Sequence, residues 1–179
     1  MVRSLLKLSL LVSIVLLISI TTPLTARAQT QRSIFTYAAK FVCGKGNEKL
    51  VSPGQYFTNI NVHNPSPFKR TVYIKRFAIA FPEERPGPLL GVFGAPLDPD
   101  LAMTIDCNNI YKHTQTQPGS FLEGFALIYS LTELDVVSVY TAGHTEVEAF
   151  HTERVPVRRL VLPITTGVVR DLMRQQHQE

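Results

Sequence analysis

The stretch AGHTEVEAFH, residues 142–151, brings together His144, Glu146, Glu148 and His151, side chains that bind metals or move protons. Zinc needs several such ligands meeting at one point, each about 2.0–2.2 Å from the ion. Side chains alternate along a strand, so His144, Glu146 and Glu148 share one face, while His151 and Glu153 turn to the other. A closed site would then need a further ligand from another strand, such as His63 or His113. Val147, Ala149 and Phe150 supply the apolar side of a sandwich strand, which makes the glutamates the solvent face of an edge or outer strand. The expectation is no metal and no other cofactor. A metal-dependent binder or enzyme using His144, Glu146 and Glu148 stands as the alternative.

Other chemistries find less. Gly119-Ser120 lacks the second glycine of a Gly-x-Ser-x-Gly nucleophile elbow. Glu83, Glu84, Asp98, Asp100 and Asp106 could pair for glycoside cleavage, but that mechanism is defined by separation in space. Asp98 and Asp100 flank Pro99 as turn residues do, with too few neighbouring oxygens for a calcium loop. Asn59, Asn61, His63 and Asn64 form a polar cluster on a strand and the turn after it, where asparagine commonly bonds neighbouring backbone. Arg154, Arg158 and Arg159 read as the solvated end of a strand. No catalytic residue is assigned, and the expectation is a chain that is not an enzyme.

The elements that position these residues read as strands. Short segments rich in β-branched and aromatic residues are separated by Gly, Pro, Asn and Asp clusters. Phe35, Tyr37, Ala39, Phe41 and Cys43 share one face of a first strand. Tyr56 to His63 sets Thr58, Ile60 and Val62 against Phe57, Asn59 and Asn61. Thr71 to Phe81 has neither face cleanly apolar, which suggests a bulge near Lys75-Arg76 that swaps faces and brings Val72 and Ile74 to the side of Phe77 and Ile79. Pro82 to Asp100, with five prolines and three glycines, reads as a long irregular loop. A fourth strand runs from Leu101 to Cys107, and Phe121–Leu131 and Asp135–Ala142 follow as near-continuous apolar runs. Such runs fit central strands or strands whose outer face meets another layer. Glu146 to Val155 is the seventh strand, and the spacing of Val168, Val169, Leu172 and Met173 predicts a short C-terminal helix or tail. The fold class expected is all-β, a seven-stranded antiparallel β-sandwich, immunoglobulin-like in general plan.

Ahead of it, residues 1–28 have a basic start, an uncharged apolar run from Leu8 to Ile20 and a polar exit through Ala26-Arg27-Ala28. That is the layout of a signal peptide. The 13-residue run is shorter than the about 20 that a membrane span needs. A cleaved leader and a mature chain from Gln29 are expected, with a membrane-anchored envelope subunit keeping its leader as the alternative. The sandwich domain then covers residues 29–163, and the C-terminal helix or tail covers 164–179. Cleavage removes Arg3, Lys7 and Arg27 and no acid, leaving 15 bases against 14 acids. So balanced a charge argues against a nucleic-acid partner.

The leader would send Cys43 and Cys107, the only two cysteines, to a compartment where disulfides persist. One intrachain pairing exists, and closing its loop would contribute roughly 4 kcal/mol. Separate buried thiols or a redox pair are the other readings, though neither cysteine lies in a C-x-x-C.

In order, the phrases YAAKFVCG, YFTNINVHNPS, AMTIDC, GFALIYS and LDVVSVYTAG make residues 34–158 resemble a group of uncharacterised secreted bacterial proteins. The resemblance implies a secreted or cell-envelope setting and a Cys43–Cys107 bond. It brings no activity and no catalytic residue. The function expected is a non-catalytic, periplasmic or extracellular binding or structural module of the envelope. Its partner would be an unidentified protein or envelope component, and it would meet the membrane only for export.

Overall fold

Burial follows the expected alternation in β1 (Gln31–Gly46) and β2 (Gly54–His63). Tyr37, Ala39, Phe41 and Cys43 face inward from the first, Thr58, Ile60 and Val62 from the second. These strands belong to a computed structural model that describes residues 30–46, 51–144 and 147–177; the expected leader lies outside them. The remaining strands are β3 (Thr71–Ala80), β4 (Pro86–Leu97), β5 (Ala102–Asp106), β6 (Leu122–Ser130), β7 (Asp135–Gly143), β8 (Val147–Arg154) and β9 (Arg158–Pro163). The helices are α1 (Cys107–Thr114) and α2 (Gly167–His177).

All pairings are antiparallel. One sheet has the order β4–β3–β6–β1–β9; the other is β2–β7–β8, with β5 on the free side of β2. The strand β1 belongs to both, because Gly44–Gly46 leave β6 and pair with Gly54–Tyr56. Gly44 sits at that corner with φ of 87°, and a Cβ there would fall 2.1 Å from the Ser120 carbonyl oxygen. Only glycine fits such a corner. Phe41, Ile60, Phe77, Ile105, Ile128 and Val136 meet in one core between the sheets, the sandwich arrangement expected.

The sequence reading of seven strands is short by two. Pro82 to Asp100 is not an irregular loop, since most of it is β4, paired along β3. Its prolines are tolerated because β4 is an edge strand, with no second neighbour to demand their missing N–H groups. The other addition is β9, which carries the chain from the second sheet back to β1.

The irregularity near Lys75-Arg76 is real, but its extra residue is on β4: Lys75 pairs with Phe93 and Phe77 with Leu90. Against β6, β3 keeps its register from Tyr73 to Ile79. Tyr73, Lys75, Phe77 and Ile79 therefore all face the core, and no face swap occurs. Ile74 on the reverse face packs with Ile34, Val169 and Leu172, so β3 is apolar on both sides because α2 covers its back.

The expected fourth strand stops at Asp106, whose carboxylate accepts from the Asn109 N–H at 2.8 Å, while the Asn109 side chain accepts from the Asp106 N–H at 3.3 Å. That reciprocal cap starts α1 at Cys107. Cys107 is bonded to Cys43, with a Cα–Cα distance of 5.7 Å, and this ties the start of α1 to β1.

Candidate functional site

The expected ligands at 142–151 do not meet as a set. His144 is exposed in the bend after β7, Glu146 lies outside the described residues, and of Glu148 only its place on β8 is described. The β2–β7 ladder runs from Gln55 opposite Gly143 to His63 opposite Asp135. At about 3.3 Å per residue, His63 is about 26 Å along the sheet from the His144 end, too far to share an ion. His63 instead faces Asp135 at 3.5 Å. His113, on α1, lies tilted against Phe93 with ring centroids 3.9 Å apart and stacks on Phe77 at 5.8 Å. Burial first, then the charges of Lys75 and Lys112, holds its imidazole below the usual histidine value. Among the described residues no three His, Cys, Asp or Glu side chains converge as a metal site.

Other polar residues have structural tasks. Asn64, fully buried, donates its side-chain amide to the carbonyls of Lys69, Leu97 and Asp98, and its oxygen accepts from the Ser66 N–H. Thr104 donates to Asn61 across the β2–β5 ladder at 2.8 Å. Asp98 pairs with Arg70 at 2.8 Å, and Asp106 caps α1. The Ser120 carbonyl accepts from the Tyr111 hydroxyl at 2.9 Å. Arg154 pairs with Asp135, and Arg159 donates to the Ser33 hydroxyl at 3.2 Å. A polar recess of about 330 Å³ opens beside α1, with Gln55, Asn59 and Asn108 on its wall.

The more open feature lies at β8. Within 149–154 the alternation is as expected, since Ala149 pairs with Ala142, His151 with Tyr140 and Glu153 with the buried Ser138. The side bearing Ala149 and His151 was expected to be core. Instead both are exposed: β9 pairs with β1 only as far as Thr36, and among the described residues β8 pairs with β7 alone. A groove of about 360 Å³ results, between Lys40 and Val42 of β1 and Tyr140, Ala142, Ala149 and His151 of the opposite sheet.

The groove is largely apolar in its side chains and has a defined polar end. The Tyr140 hydroxyl donates to the Lys40 carbonyl at 3.1 Å, and the His151 ring stacks on Tyr140 at 6.0 Å. Burial is the main cause that raises the Tyr140 pKa. At the groove's margin and across the outer face of the sheet, Phe57 and Phe150 lie in one cross-strand row with Thr141, and they are 51% and 68% exposed. Sequence reasoning did not single out Tyr140, Phe57 or Phe150 as a surface; a phenylalanine between Ala149 and His151 on a charged strand was the available signal.

No protein-family model matches the chain, and no curated protein is similar to it. Among solved structures, the crystal structure of Thermotoga maritima 1070 is similar at 9% identity with a TM-score of 0.43, covering 70% of this chain and 92% of that one.

Proposed function

We propose that the chain is an exported, non-catalytic β-sandwich that serves as a binding or structural module of the cell envelope, on its periplasmic or extracellular side. The observation that carries this reading is how the surface is divided. Asn64 and Asp106 are engaged in a turn and a cap and Asp98 and Asp135 in ion pairs, while Phe57, Phe150 and the groove beside β8 are left open to solvent. Large exposed apolar side chains beside a concave surface are the usual mark of a recognition site.

The Cys43–Cys107 disulfide supports an oxidising, exported setting. No helix among the described residues is long and apolar enough to cross a membrane.

The test is to express the full chain in a bacterial host, separate periplasm, medium, membrane and cytosol, and determine the N-terminus and free-thiol content of the recovered protein. A chain beginning at Gln29, without free thiols, in the periplasm or medium supports the reading. A reduced cytosolic chain overturns it, and an intact leader in the membrane fraction replaces it with an anchored subunit. Turnover of a defined substrate by the purified protein would overturn the non-catalytic part.

A further inference from the structure

Sheet edges offer unpaired backbone groups to any extended chain, and natural proteins blunt them with prolines, bulges or short strands. Here β4 carries Pro86, Pro88 and Pro96 and two register shifts, β5 has five residues, and β9 has six and ends at Pro163. The remaining edge, β8, runs eight residues without a proline, and its one register shift is at the Gly143 end.

The direction of its free groups follows from one hydrogen bond. The Val155 N–H donates to the Val136 carbonyl at 2.8 Å. Bonded pairs alternate along an antiparallel ladder, so Glu153, His151 and Ala149 bond to β7. The backbone groups of Phe150, Thr152 and Arg154 therefore point to the open side.

We propose that β8 takes up an extended segment of a partner polypeptide as an added strand, apolar where it lies beside Phe150 and basic where it lies beside Glu153. The proposal rests on the binding-module reading above and names its partner. Only an extended peptide backbone presents donors and acceptors at the spacing of this edge. On the outer face Phe150 offers an apolar neighbour; on the inner face the next side chains of the partner reach the groove under Ala149 and His151. Glu153 is exposed, interacts with the Tyr140 hydroxyl and makes no ion pair among the described residues, so its carboxylate favours a lysine or arginine on the incoming strand.

The probe is a displayed library of short random peptides, panned against the intact oxidised protein; enriched sequences are then synthesised and titrated. The expected result is selection of alternating peptides with an apolar residue and a basic residue at fixed spacing. Bound peptide should slow amide exchange at Phe150 and Thr152 about tenfold or more. Thr152→Pro, which removes an outward N–H and spares the ladder to β7, should weaken binding about tenfold or more with its melting temperature kept. Glu153→Lys should turn the selection towards acidic peptides, a gain of preference that misfolding cannot mimic. Selection of no peptide, or of peptides that both variants bind unchanged, overturns the proposal. Slow exchange at Phe150 and Thr152 that depends on protein concentration alone would assign the edge to a second copy and also overturn it. Either failure leaves the export and thiol results, and with them the broader reading, standing.

Discussion

The Thr58 hydroxyl accepts from the Val42 N–H at 3.0 Å and donates to the Val42 carbonyl at 2.9 Å, so one side chain on β2 closes both backbone groups of a residue on β1. Among the described residues no strand lies on that side to do so: β9 leaves β1 at Thr36, and β2 joins it only at Gly44. Thr58→Val keeps the shape and strands both groups, each of which costs about 1–3 kcal/mol when buried without a partner. The expected loss is about 2–4 kcal/mol by urea denaturation, with Thr58→Ser recovering most of it. A loss below about 0.5 kcal/mol would mean that water replaces the hydroxyl at this seam.

The Thr58 N–H donates in turn to Cys107 Sγ at 3.2 Å, which ties the same seam to the disulfide. Cys43 and Cys107 are 64 residues apart, so their bond closes a long loop in the unfolded chain. Replacing both by alanine is expected to cost about 4 kcal/mol, and dithiothreitol should lower the denaturation midpoint of the native chain and leave that of the variant unchanged. Equal midpoints for the oxidised native chain and the variant would refute it.

Much of this frame was legible in the residues. The alternation in Tyr37, Ala39, Phe41 and Cys43, and in Thr58, Ile60 and Val62, identified core faces directly, because a half-buried strand must put its apolar residues at every second position. Prolines 86, 88 and 96 masked β4, since they exclude a central strand and tolerate an edge one, and edge position is a tertiary property. Cys107 continued the face of Met103 and Ile105, which hid the start of α1, although Asp106 and Asn109 stand at capping spacing. The groove was not readable in advance. Ala149 and His151 have the alternation of a core face, and their exposure depends on where β9 leaves β1.

Lys75 is 8% exposed on the core face of β3, and burial lowers its amine below the usual lysine value while Asp106 acts in the opposite direction. Folding therefore disfavours its charge. Lys75→Met should raise stability by about 1–3 kcal/mol at neutral pH. The sign with pH follows from the lowered value. Above it the unfolded chain holds the proton that the folded chain has released, so wild-type stability gains as pH rises towards 10.5. The advantage of the methionine variant should shrink over that window. Tyr37 and Tyr73, both pushed up to about 12, act oppositely above pH 10, but they are common to both proteins and cancel in the difference. A destabilised Lys75→Met would show that the amine makes a net favourable contribution where it lies.

His113 is expected to lower stability on the acid side of neutrality. Its ring lies against Phe93 and Phe77, and burial followed by the charges of Lys75 and Lys112 lowers its value from 6.5. The folded chain keeps the imidazole neutral at a pH where the unfolded chain already binds a proton. The stabilisation is thus fully present above about 6.5 and is lost as pH falls from there towards the folded-state value, where it levels off. The wild-type melting temperature should fall through this interval, and His113→Gln should flatten that part of the profile while lowering the plateau through lost ring stacking. Lys75→Met should lessen the same fall, because it removes one of the charges that disfavours the imidazolium. Melting curves from pH 5 to pH 8 for the three proteins test this, and parallel profiles would exclude His113 as the titrating group.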